Sequence, residues 1–148
     1  MSDFVDIENA AHRPTKEYGE VLSKIKEDGV CPFCPESLLS YHERPILKDG
    51  AFWVLTENMY PYEGAKYHGL LIHKKHITSF SEISPEAWSE LRDLVNYFVA
   101  TNKIPGGAFL MRFGDTRYTG ATVSHLHANL VSSDGENKDR KPIVARVG

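Results

Sequence analysis

"ATVSHLHANLV", residues 121–131, decides the fold. Successive side chains of a β-strand point to opposite faces. In one strand, Val123, His125, His127, Asn129 and Val131 share a face, while Ser124, Leu126, Ala128 and Leu130 share the other. The second set is small and apolar, suited to packing under helices. The first sets two imidazoles and an amide in a row, about 7 Å apart at Cα level. The plain reading is a half-exposed strand with polar residues on its wet side. The chemical one is that neutral imidazole, with an ordinary pKa of about 6.5, is a competent nucleophile toward phosphorus, and its neighbours can donate hydrogen bonds to phosphate oxygens.

Other elements follow from local signals. Residues 1–14 lack periodicity and end at Pro14, which reads as an N-terminal arm before a single domain over 15–148. Thr15 is placed to cap a helix in which Tyr18, Val21, Leu22 and Ile25 form an apolar stripe, and Gly29 ends it. "PILKDGAFWVL" predicts two short strands around Asp49–Gly50, and "YHGLLIH" (67–73) a third. Ser84–Pro85–Glu86 starts a helix whose stripe Trp88, Leu91, Leu94, Val95 and Phe98 is core, stopped by Pro105–Gly106–Gly107. "AFLMRF" (108–113) is a strand, "GDTRYTG" (114–120) a polar loop, and "KPIVARV" either finishes the sheet or packs against a partner. Many hairpin-like strands interrupted by two helices argue α+β with a mostly antiparallel sheet.

Composition narrows the function. A chain of 148 residues, 41% apolar and 25% charged, can bury one core. No run approaches the roughly eighteen apolar residues of a membrane span. "MSDFVDIENA" has no basic-then-apolar leader pattern, so the expected address is the cytoplasm. A net charge of −3 argues against a broad nucleic-acid face, so any phosphate site is local. The two cysteines, Cys31 and Cys34 in "CPFC", suggest metal or redox chemistry more than a structural bridge.

"SHLHANL" resembles the His-φ-His-φ-His-φ-φ signature of the histidine triad (HIT) superfamily, with Asn129 at the third histidine position. "KYHGLLIHKKHITSF" (66–80) resembles that family's strand segment, with His68 and His76 on its two histidine positions and His73 where a proline is usual. "CPFC" is similar to the Cys-x-x-Cys of many bacterial members, and "GATVSHLHANLV" to the Gly-x-Ser/Thr-φ-x-His-φ-His stretch. The four pieces come in the family's order within residues 30–132. The resemblance implies an antiparallel five-stranded sheet with two main helices, a homodimer joining two sheets, and nucleoside phosphates as ligands. It also implies that His127 attacks an α-phosphorus to form a nucleotidyl-imidazole, resolved by water, phosphate or another acceptor.

Around that nucleophile, Gly120 lets the backbone approach closely, and Thr122 can cradle a phosphate oxygen. Asn58 falls where the family often has an acid reaching the ribose. Arg112 and Arg117 are candidate phosphate clamps, with surface charge the better reading of Arg117. His68 is expected to orient another histidine or a phosphate, or to be a satisfied structural residue. His12 and His42 receive no role; of Phe52 and Trp53, one could pack against a base, though core packing is the better reading. Metal-containing members imply that His76 and His125 complete a structural zinc site with Cys31 and Cys34; a redox pair and plain packing are the competing readings of the cysteines.

Asn129 donates hydrogen bonds but delivers no proton. Polyphosphates leave readily as anions whereas an amine must first be protonated, so nucleotide anhydrides such as dinucleoside polyphosphates are expected over phosphoramidates. A hydrolase or nucleotidyltransferase is the leading reading. A dinucleoside polyphosphate phosphorylase, or a non-catalytic nucleotide-binding or scaffold protein, are the alternatives.

Overall fold

The computed structural model describes residues 4–11 and 16–148; Pro14 and the expected cap Thr15 lie outside them, as does His12. The described helices are α1 (Ile7–Ala10), α2 (Lys16–Asp28), α3 (Pro35–Tyr41), α4 (Pro85–Thr101) and α5 (Thr116–Thr119). The strands are β1 (Lys48–Asp49), β2 (Trp53–Glu57), β3 (Ala65–His73), β4 (Ala108–Met111) and β5 (His127–Ser133). They form one antiparallel sheet in the order β1-β2-β3-β5-β4. The expected α+β architecture is present, with α2 and α4 the two main helices. No helix among the described residues is long and apolar enough to cross a membrane.

Register divides the sheet into two faces with different tasks. Leu55 pairs with Leu71, and Leu71 with Ala128, so these three point the same way. With Trp53 and Leu130 they pack against Leu91, Leu94 and Phe98 of α4 in the main core. Ser84 caps α4 by accepting from the Ala87 N–H at 3.1 Å, and Pro85 occupies its first turn. A Cβ on Gly69 would meet three Phe98 ring atoms at 3.0–3.2 Å, so the missing side chain is what lets α4 lie this close to β3. The opposite face carries Thr56, Leu70, Asn129 and Leu110 in one row, and Val54, Ile72 and His127 in the next. On that side α2 packs through Leu22 and Ile25 with Val5 and Val123, and α3 through Leu38 with Leu70 and Ile72.

Several sequence expectations are corrected. β5 begins at His127, not at residue 121. Upstream, the Ser124 N–H donates to the Phe4 carbonyl (2.7 Å), the Asp6 N–H donates to the Thr122 carbonyl (2.8 Å), and Val5 bridges Val123, so the arm draws this stretch off the sheet. Trp88 is 40% exposed; the buried stripe of α4 runs through Ala87 instead, one residue earlier. α4 stops at Thr101, with Asn102 as its cap, ahead of Pro105. The 114–120 loop contains the single turn α5, capped by Asp115 and closed by Gly120 at φ 72°. Residues 141–148 form no strand; both edges of β3 and β5 are already paired, and this segment instead borders the cavity described next.

Candidate active site

A cavity of about 680 Å³ opens over the second face, between the sheet, α2 and the C-terminal segment. His127, Asn129, Asn58, Gly120, Thr122 and Arg112 all border it, so the expected nucleophile and phosphate-binding residues converge on one space. Arg117 does not; it pairs with Asp115 on the surface.

His127 is oriented by its own chain. Nδ1 donates to the carbonyl of His125 at 2.7 Å, which fixes the proton there and leaves Nε2 with a free lone pair. Phe33 packs against the ring in a T-shaped arrangement with centroids 5.0 Å apart. Burial, with smaller contributions from the charge of Arg112 and from His68, lowers the His127 pKa to about 4, against the opposing hydrogen bond to His125. At neutral pH the ring is therefore uncharged.

Asn129 is oriented by a two-step relay. The Tyr62 N–H donates to His68 Nδ1 (3.1 Å), so the proton of a neutral His68 sits on Nε2, which donates to Asn129 Oδ1 at 2.8 Å. With its oxygen engaged, Asn129 turns its NH₂ group away from His68. His68 thus sits behind Asn129 rather than on the cavity wall. Asn58 Oδ1 accepts from the Tyr60 N–H (2.8 Å), and its Nδ2 lies 3.5 Å from Asn129 Oδ1, at the limit of a bond. Thr122 Oγ1 is in hydrogen-bond contact with the Tyr18 hydroxyl, an element sequence reading did not connect to it. Arg112 donates from Nε to the Arg146 carbonyl (3.0 Å) and from Nη1 to the Tyr62 hydroxyl (3.2 Å). The spacing of residues 112 and 146 gives no hint of that contact.

Cys31, Cys34, His76 and His125 place one ligand atom each within 4.8 Å of all the others. Sulfur–nitrogen separations are 3.3 Å (Cys31–His125), 3.5 Å (Cys34–His76) and 3.7 Å (Cys34–His125), and the two Nδ1 atoms are 3.1 Å apart. Tetrahedral zinc, with Zn–S about 2.3 Å and Zn–N about 2.0 Å, requires edges of about 3.5 Å for S···N and about 3.3 Å for N···N. The four side chains fit that ion. His125 Nε2 donates to the His73 carbonyl, which leaves Nδ1 as the ligand nitrogen and supplies the outer-shell partner such histidines usually have. Burial and the adjacent Cys31 raise the Cys34 thiol to about 12 in the absence of a cation, so its sulfur becomes a thiolate only against a positive charge.

No protein-family model matches the chain, and no curated protein matches it. Solved structures do. A HIT family hydrolase from Clostridium thermocellum aligns at a TM-score of 0.51 and 22% identity, over 69% of this chain and 90% of that one. A zinc-bound histidine triad family protein from Mycobacterium smegmatis gives 0.53 and 16%, over 74% and 82%. A histidine triad nucleotide-binding protein from Candida albicans gives 0.53 and 20%, over 74% and 81%. The five-stranded antiparallel sheet, the two main helices and these likenesses agree: the chain has the fold of the histidine triad proteins.

Proposed function

We propose that this chain is a HIT-type nucleotidyl hydrolase or transferase that cleaves nucleoside phosphate anhydrides through a nucleotidyl-His127 intermediate. The observation that carries the proposal is the orientation of His127. Its Nδ1–H is held by the His125 carbonyl, and its other nitrogen belongs to a neutral ring at the wall of a cavity large enough for a nucleotide. Two of the similar structures are of a HIT family hydrolase and a histidine triad nucleotide-binding protein, which fits this reading.

In the first step Nε2 of His127 bonds to the α-phosphorus while the bond to the bridging oxygen of the leaving polyphosphate breaks. The leaving group departs as an anion and needs no proton. Arg112 and the NH₂ of Asn129 donate to phosphoryl oxygens, and the Gly120–Thr122 turn lets backbone reach them. In the second step water bonds to phosphorus, the P–N bond breaks, one proton of the water passes to solvent, and the nucleoside monophosphate and neutral His127 with its Nδ1–H are restored. Zinc bound to Cys31, Cys34, His76 and His125 would be structural: four protein ligands leave no position for substrate. A homodimer is part of the proposal, supported by the edge position of β4 and the exposed Phe109 on it; light scattering on the purified chain tests it.

Incubation with α-³²P-labelled dinucleoside polyphosphates, with and without inorganic phosphate, tests the chemistry. We expect an acid-labile adduct absent from His127→Ala and products independent of phosphate. Product formation that requires phosphate points to a phosphorylase. Nucleotide binding without any adduct or turnover removes the enzymatic reading. Faster turnover of a nucleoside phosphoramidate than of the anhydride refutes the role given to Asn129.

A further inference from the structure

Sequence context gives His42 no role, yet its ring is buried, 8% exposed, and borders the cavity. Its Nε2 lies 2.7 Å from Thr56 Oγ1, which lies 2.7 Å from the Pro45 carbonyl oxygen. A hydroxyl has one proton and a carbonyl only accepts, so Thr56 donates to Pro45. Thr56 Oγ1 is therefore the acceptor toward His42, and His42 Nε2 carries the proton. Burial first, then the charge of Arg44, lowers the pKa of the ring below its ordinary value. The neutral ring keeps a lone pair on Nδ1, and no donor among the described residues reaches it. A buried acceptor without a donor is destabilising until something supplies one.

The sheet sets where this acceptor stands. Thr56 pairs with Leu70, and Leu70 with Asn129. Neighbouring strands lie about 4.8 Å apart, so Thr56 is about 10 Å from Asn129 across the same face. A nucleotide spans a similar distance from its phosphorus to the far edge of its base. Leu70, Phe33 and Ile25 supply apolar cavity wall for that base. The polar side chains nearby are already engaged: the Tyr41 hydroxyl donates to Asp28 (2.6 Å), and Met59 Sδ accepts from the Glu43 N–H (3.3 Å). Beside these engaged groups, His42 Nδ1 is an acceptor that no donor among the described residues reaches.

On the nucleotide reading above, we propose that His42 Nδ1 accepts a hydrogen bond from the 6-amino group of adenine, so that the site selects adenine over purines with a 6-keto group. Hypoxanthine and guanine, in the same pose, would place a carbonyl oxygen where adenine places its amine, setting lone pair against lone pair at His42 Nδ1. A purine with hydrogen at position 6 would leave Nδ1 unsatisfied. Thr56 is a positioning residue, since its hydroxyl fixes the tautomer.

Calorimetric binding of AMP, IMP and purine riboside 5′-monophosphate to the full, metal-loaded chain tests this. AMP is expected to bind about tenfold more tightly than the other two, the worth of one neutral hydrogen bond in a buried site. His42→Leu is expected to bring all three within about twofold. Thr56→Val, which frees the proton to move to Nδ1, is expected to shift preference toward IMP. The wild-type comparison needs no variant to fold. Equal binding of the three nucleotides, or an AMP preference unchanged in either folded variant, overturns the role of His42 and leaves the nucleotide reading standing. Binding of none overturns both.

Discussion

Acidification separates the environment assigned to His127 from that of an ordinary histidine. The ring must be neutral to attack phosphorus. With a pKa of about 4 it is about 97% neutral at pH 5.5, whereas an ordinary histidine near 6.5 is only about 9% neutral there. Adduct formation on His127 should therefore proceed at nearly the same rate at pH 5.5 and 7.5, where an unperturbed ring would slow about tenfold. A dinucleoside polyphosphate is the right substrate, because it has no terminal phosphate and keeps its charge over this range. The quantity to measure is kcat/KM, which reports the free enzyme. Zinc content is followed in parallel, since thiolate ligands take up protons as pH falls. A kcat/KM profile bending near pH 6.5 with zinc retained would refute the claim that burial depresses this imidazole.

The same shift has a sign in stability. A His127 pKa lowered on folding contributes fully above about pH 6.5 and loses its contribution as pH falls toward 4, so at pH 5.5 on the order of 1 kcal/mol is gone; urea unfolding of wild type against His127→Gln at pH 7.5 and 5.5 should show that extra loss in the wild type alone. Gly69→Ala should destabilise by about 1–3 kcal/mol, because its methyl would meet the fully buried Phe98 ring; a change under about 0.5 kcal/mol in chemical unfolding would mean α4 yields freely. Cys34→Ser should weaken zinc binding by more than about a hundredfold, beyond what loss of an outer-shell partner costs, and metal analysis of dialysed protein decides it. Arg112→Ala should lower kcat/KM for a dinucleoside polyphosphate about tenfold or more while leaving the urea midpoint nearly unchanged, since the side chain is half-buried and its protein partners are one backbone carbonyl and a tyrosine hydroxyl.

Legibility followed the range of the interactions involved. The alternation at residues 126–131 is local, and its two faces are those of the folded sheet: Leu126, Ala128 and Leu130 under α4, His127 and Asn129 at the cavity. Residues 121–125 carry the same pattern, but their backbone is claimed by residues 4–6, over a hundred positions away, and no periodicity reports that. Trp88 has helical spacing, yet Ala87 lies one step round the helix and fits the close approach to Trp53, whose indole N–H donates to the Ala87 carbonyl at 2.8 Å. α3 escapes because it is seven residues long and buries little beyond Leu38. Residues 141–147 look like a strand by composition, but they line the cavity instead, where the Arg146 carbonyl accepts from Arg112, a contact no local pattern reports.

The candidate site shows the same division more sharply, because it couples two centres through one residue. His125 offers Nδ1 to the metal-ligand cluster, Nε2–H to the His73 carbonyl, and its own carbonyl to the Nδ1–H of His127. With its ring held on both nitrogens, its backbone is held as well, and so is the proton that leaves the nucleophile's lone pair free. This explains why the two histidines lie two residues apart: the spacing lets the carbonyl of the first reach the ring of the second. It also explains how an amide serves at position 129. Asn129 is held through His68 and the Tyr62 backbone, on a separate relay that does not pass through the cluster. On the proposed chemistry, an amide in place of a proton donor there alters which leaving groups the site can release and leaves the geometry of His127 untouched. On that chemistry the metal-ligand cluster bears on attack and the amide on departure within the one displacement that forms the adduct. A change in either is therefore expected to slow adduct formation, and only a change at Asn129 to do so by an amount that depends on the leaving group.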